Sequence, residues 1–207
     1  MGVLHGSITY TLFHVEGELP ERYEEHFLER IEEFAFRPLE PTAEEDVSMG
    51  WVLIEDMLRW DFSKDAVFRD GHLLLAMRSD KWSLPGALLR ATVAQRVEAF
   101  AAEKGRVKLS KLEKDVIAEA VRREFKAQML PSAGSVDMAW DLEKGLLRLW
   151  SQSGRAKESF LELFESTFSV RLHENGPYLA ARSLELSSSQ VQALALAEYT
   201  DFSSTGE

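Results

Sequence analysis

Cysteine is absent from the chain, which excludes a disulfide framework and any thiolate metal site. That suits a reducing cytosol. No apolar run approaches the roughly 20 residues that span a bilayer. The start, MGVLHGSITYTLFHVEGE, lacks the basic and apolar regions of a signal peptide. The expectation is a cytoplasmic protein with no membrane partner. Catalytic signatures are missing too: there is no GxxxxGKS/T phosphate loop, no GxSxG elbow and no HExxH pair. His5, His14, His26, His72 and His173 are scattered without ligand spacing. No metal, no cofactor and no catalytic residue is expected. Positive charge is scarce as well. With 24 Lys+Arg against 35 Asp+Glu, the net charge of −11 argues against a DNA binder with cations spread over its whole surface.

The few cations are gathered. Residues 81–130 hold 11 of them and only six acids, leaving 13 cations against 29 acids for everything else. An asymmetry of this size is a candidate footprint for a polyanion.

Residues 81–130 read as two helices. Ser83 and Pro85 are a start signal for a helix over about 85–103, with Leu89, Val93, Val97 and Phe100 inward. Gly105 breaks it, and a second helix runs from about Ser110 to Gln128. On either side the pattern is mixed. Gly6–Phe13, Met49–Leu53, His72–Met77, Ser135–Trp140, Gly145–Trp150 and Phe168–Leu172 read as strands. Residues 21–36 and 153–164 read as amphipathic helices, the first with Pro20 in its opening turn. Residues 55–71 have no clean period and read as an irregular excursion or a short strand pair, and 131–134 read as a loop. Trp51, Trp140 and Trp150 belong to the core. Without strict strand–helix alternation, the fold class is α+β, with antiparallel sheets, packed helices and an inserted two-helix tip. Residues 1–80 and 131–186 would form the discontinuous body. Residues 187–207 would be a partly disordered tail, with a short helix at most over 191–199.

On a helical wheel starting at Lys111, Arg122 falls at about 20°, Lys126 at about 60° and Lys114 at about −60°. Leu112, Val116, Ile117, Ala120 and Val121 would occupy the opposite arc and pack on the first helix. Lys104, Arg106 and Lys108 lie in the preceding turn. Flexible cations on one face suit a phosphate backbone, so the seven candidate DNA contacts are Lys104, Arg106, Lys108, Lys111, Lys114, Arg122 and Lys126. A solvated face is the rival reading, with Glu113, Asp115, Glu119 and Glu124 cancelling the cations at i, i+4 spacing. Phe125 and Met129 are candidate self-contact residues of the tip. Glu124-Phe125-Lys126 matches the E-x-K piece of a nuclease metal site, but side chains two apart on a helix diverge, and Asp115 lies too far along to join them.

Several ordered pieces resemble the recombination-associated protein RdgC family. FAFRPLEPTAEEDVSMGWV is similar to its AF-x-P…MGWV segment. GHLLLAMR is similar to a strand after a glycine, and Leu84-Pro85 to its LP. LSKLEKD resembles a lysine-rich LKKTEKD-like run, and DMAWDLEKGLLRL a W-x-D…NGL hairpin. The match covers about residues 6–180. The resemblance implies a nucleoid-associated dimer, joined through the helical tip, that binds double- and single-stranded DNA without sequence preference. It further implies antagonism of RecA-promoted recombination by occupying DNA. By position, Lys108, Lys111 and Lys114 match basic residues of the family's run, whereas Val107 and Ser110 replace cationic ones. Members continue into a C-terminal domain that closes a ring around DNA. This sequence stops soon after Ser187 and reads as a short member lacking that domain or as a truncated one, so that in place of a closed ring an open dimer joined at the tips, or a different assembly, is an alternative. Two alternatives stand beside DNA binding. One is an acidic interaction module for a recombination or DNA-processing protein. The other is a metal-dependent nuclease.

Overall fold

Alternating apolar residues build one sheet whose inner face is almost continuous aromatic and aliphatic surface. The computed structural model describes residues 2–4, 9–176 and 186–196. Its strands are β1 (Thr11–Glu16), β2 (Val47–Val52), β3 (Phe68–Arg69), β4 (His72–Lys81), β5 (Ser132–Asp141), β6 (Leu146–Leu149) and β7 (Arg171–Glu174). All pair antiparallel in the order β2-β4-β5-β6-β1-β7, and β3 shares an edge of β4 with β2. The register places Trp51 opposite Met77, Leu75 opposite Met138, and Trp140 opposite both Leu73 and Leu147. Strand side chains alternate between faces, so these residues line one face together.

Two helices cover that face. α1 (Tyr23–Glu33) buries Phe27 and Ile31, and α5 (Gly154–Phe168) buries Phe160, Leu163, Phe164 and Phe168. Phe27, Trp140, Phe164 and Phe168 form a tilted and edge-on cluster with centroids 4.7–5.6 Å apart. Trp51 donates its indole N–H to Thr167 Oγ1 at 2.9 Å, and Thr167 donates to the Leu163 carbonyl at 2.7 Å. This bond spares Trp51 the cost of an unmade one, about 1–3 kcal/mol, whereas the buried indole N–H of Trp140 has no partner among the described residues. The remaining elements are a short α2 (Lys64–Val67), the pair α3 (Gly86–Glu103) and α4 (Lys111–Gln128), and α6 (Ser188–Ala195).

The α+β class with an antiparallel sheet is thus observed. Several boundaries differ from expectation. Residues 132–134 are strand, not loop, because they pair with Ser79–Lys81 of β4. Phe168 ends α5 instead of opening a strand, since it continues the inward Phe160–Phe164 series, and Ser169 stops the helix in the left-handed region at φ 57°. Pro20 precedes α1 and lies outside it. Trp150 is half-buried, whereas Trp51 and Trp140 are core. The first expected strand overlaps β1 only over 11–13, and its residues 6–8 lie outside the described residues, as do 177–185 of the expected body and 197–207 of the expected tail.

Candidate nucleic-acid interface

β4 and β5 are neighbours paired along their whole length, ending at Lys81 opposite Ser132. The connection between them is the α3–α4 hairpin. Each helix is 18 residues, about 27 Å long at 1.5 Å per residue. α3 has no buried residue, so no layer of the body covers it.

Both ends of the turn are built from local signals. Gly105 sits at φ 61°, where Arg106 N–H reaches the Ala101 carbonyl at 2.9 Å and Gly105 N–H reaches Ala102 at 3.0 Å. That is the Schellman close of a helix, which a glycine adopts without strain. Ser110 caps α4. Its hydroxyl accepts from Glu113 N–H, and Glu113 Oε2 accepts from Ser110 N–H at 2.8 Å. The Ser110 backbone N–H and hydroxyl, with Arg106 and Lys104 behind them, hold the Glu113 carboxyl below its ordinary range.

The seven expected DNA contacts separate into two groups. Lys104, Lys108, Lys111 and Lys114 are exposed around the turn, with no carboxylate within 4.0 Å among the described residues. Lys104 lies 5.5 Å from the Phe100 ring centre, and Arg106 is exposed but paired with Glu113 at 3.1 Å. The other two are engaged at the opposite end. Lys126 is 1% exposed. Its ammonium donates to the Ala43 carbonyl at 3.0 Å and lies 3.1 Å from Asp46 Oδ1. Arg122 pairs with the same aspartate. Asp46 in turn gives its backbone carbonyl to Trp82 N–H at 2.9 Å. Lys126 and Arg122 therefore clamp the root of the hairpin to the loop before β2, and Lys126 is withdrawn from solvent. The sequence hides this clamp because Asp46 stands in an acidic loop, 76 positions from Arg122.

The packing face of α4 is also rotated from expectation. Val121 is buried, Ile117 and Phe125 are half-buried, but Leu112 and Val116 are 74% and 62% exposed. On the wheel the inner arc centres near −80°, the side of Val121, Ile117 and Phe125. Leu112 and Val116 face away from it. The inward series of α3 matches expectation, with Leu89, Val93, Val97 and Phe100 half-buried. Arg96 closes the pair from outside with a two-pronged bond to Glu124 at 2.7 and 3.0 Å. Phe125 and the C-cap Met129 lie at the root, about 20 and 27 Å from Lys111 along the helix axis. They are not at the free end. Glu124 and Lys126 face different partners, Arg96 and Asp46, so the E-x-K tripeptide gathers no site. Among the described residues no three His, Asp or Glu side chains converge as metal ligands, and no helix is long and apolar enough to cross a membrane.

The fold and this site define an α+β protein in which a helical hairpin, inserted between two paired strands, carries cations beyond an acidic body. The family model described as "Putative exonuclease, RdgC" matches residues 10–195, and the chain belongs to the RdgC family. It is 32% identical over 146 residues to the recombination-associated protein RdgC of Psychromonas ingrahamii, a match covering 68% of this chain and 45% of that protein.

Proposed function

We propose that this chain is a non-enzymatic, sequence-independent DNA-binding protein that modulates RecA-dependent recombination in the nucleoid by occupying double- or single-stranded DNA. The single observation behind this reading is the set of four exposed lysines, Lys104, Lys108, Lys111 and Lys114, free of carboxylate partners at the distal end of the hairpin. Flexible ammonium groups on a protruding end meet phosphates and release their counterions without reading bases. The recombination-associated relative supports the biological setting. A dimer joined through the hairpins would place two such ends on one DNA.

A second reading has its own support. Leu112, Val116 and Val107, exposed beside the lysines, suit contact with a protein. Gel retention of labelled DNA at rising salt separates the two. Retention that fades steeply with salt is expected, and none at low salt would favour the protein-contact reading. Lys108→Glu/Lys111→Glu/Lys114→Glu should abolish retention with an unchanged circular dichroism spectrum. Equal retention by this variant would make the patch a bystander. Incubating the DNA with Mg²⁺ should leave its length unchanged, whereas shortening would restore the nuclease reading.

A further inference from the structure

A second cationic site lies on the body, at the root of the hairpin. There the first turns of α5 face the open end of β2, β4 and β5 across a cleft of about 230 Å³. Lys81 and Arg155 line it, with the hydroxyls of Ser79 and Ser159 beside them and Met49 and Val136 as an apolar floor. Most cations of the body are neutralised: Arg22, Arg59, Lys64 and Arg78 each hold a carboxylate. Lys81 and Arg155 have none within 4.0 Å among the described residues, although acids outnumber bases in the chain 35 to 24. Two free cations over an apolar floor select an anion that carries an apolar part. The cleft is smaller than the ~300–1,000 Å³ of most small-molecule sites, so it holds one such unit and no more.

We propose that this cleft binds the terminal phosphomonoester of a nucleotide, with the phosphate between Lys81 and Arg155 and the sugar or base on Met49 and Val136. A phosphomonoester fits better than an internal phosphodiester. It carries more charge, about −1.5 to −2 near neutrality, and it ends the strand, so no chain need continue past the cleft. The nucleotide identity rests on the DNA reading above. The anion chemistry rests on the cleft alone. The source is either a strand end or a free mononucleotide.

The test compares a labelled single strand ending in a phosphate with the same strand ending in a hydroxyl, by fluorescence anisotropy. The phosphate end should bind about tenfold more tightly, the worth of one charge-assisted contact. Lys81→Gln/Arg155→Gln should bring the ratio to about one with unchanged thermal melting, since both side chains are exposed. The hairpin variant Lys108→Glu/Lys111→Glu/Lys114→Glu should weaken both strands yet keep the ratio. Thymidine monophosphate and thymidine are titrated in parallel by NMR. Should no strand bind at all, the DNA reading fails, and the cleft is judged by monophosphate binding that the double variant loses. Equal affinity for both strands assigns the cleft to a free nucleotide if the monophosphate still binds. Equal affinity with no monophosphate binding overturns the proposal.

Discussion

Gly50 occupies a position with no room for a side chain. A Cβ there would stand 2.5 Å from the Phe36 backbone nitrogen and 2.7 Å from the Ala35 carbonyl carbon. The contact is close because residues 34–36 pair with β2: Phe36 N–H donates to the Trp51 carbonyl at 2.9 Å, and Trp51 N–H to Phe34 at 3.0 Å. Two pieces of the family-like AF-x-P…MGWV segment are thus each other's partners. Gly50→Ala should lower stability by about 1–3 kcal/mol through overpacking, read as a lower urea midpoint at constant slope. Lys126 makes the opposite point, that a cation can be structural. Lys126→Met leaves the Ala43 carbonyl without this donor and Asp46 short of one cation, and should cost about 2–3 kcal/mol, below the full penalty of a wholly buried pair because Asp46 stays partly exposed. Lys111→Met, at an exposed position, should fall within about 0.5 kcal/mol of the parent in the same urea series.

At the scale of the element, α4 depends on its first turn. Ser110→Ala removes the cap and should cost about 1 kcal/mol, felt as faster amide exchange over residues 111–114. The same box gives a pH dependence. The Glu113 carboxyl is held below its ordinary range, first by the Ser110 N–H, so the folded state favours its ionised form. Its support is therefore present above the ordinary carboxylate pKa and is lost as pH falls through the lowered value. Amide protection factors in this turn, which remove the intrinsic pH dependence of exchange, should fall as pH drops below the ordinary carboxylate range, while those in β5 over residues 138–140 hold. These helix boundaries were legible because capping chemistry is local: Ser110 and Glu113, and Gly105, stand within a turn of what they stop or start. The packing face was not legible. α4 carries apolar residues on two sides, Ile117 and Val121 on one, Leu112 and Val116 on the other, and only the position of α3 decides between them. The start of β5 was hidden for a similar reason. Pro131 to Gly134 has turn composition, and pairing with β4 overrides it. The inner face of the sheet was readable, since Trp51 and Trp140 follow a period of two that any sheet must respect.

For the whole molecule, the proposed function raises the question of how a chain of net charge −11 would approach DNA. Distance answers it. The hairpin holds its free lysines about 20 Å along the helix from the Lys126–Asp46 clamp, and electrostatic screening at physiological salt acts over about 8 Å. The body's repulsion is largely screened at the turn, whereas a phosphate touching Lys111 is not screened from it. Placing cations on an extension is therefore equivalent to lowering the body's charge, and it costs the fold little because α3 contributes nothing to the core. This arrangement fixes a number. Each lysine that neutralises a phosphate of duplex DNA adds about −0.9 to the slope of log affinity against log salt. The four free lysines together give about −4 per bound chain, whereas all seven cations read from the sequence would give about −6. Anisotropy titrations of duplex DNA over a salt series should return a value near −4. A slope near −6 would mean that Arg106 leaves Glu113 and that the clamp at Asp46 opens on DNA, releasing Arg122 and Lys126 to the backbone. A slope near zero would mean that phosphates are not what the hairpin meets.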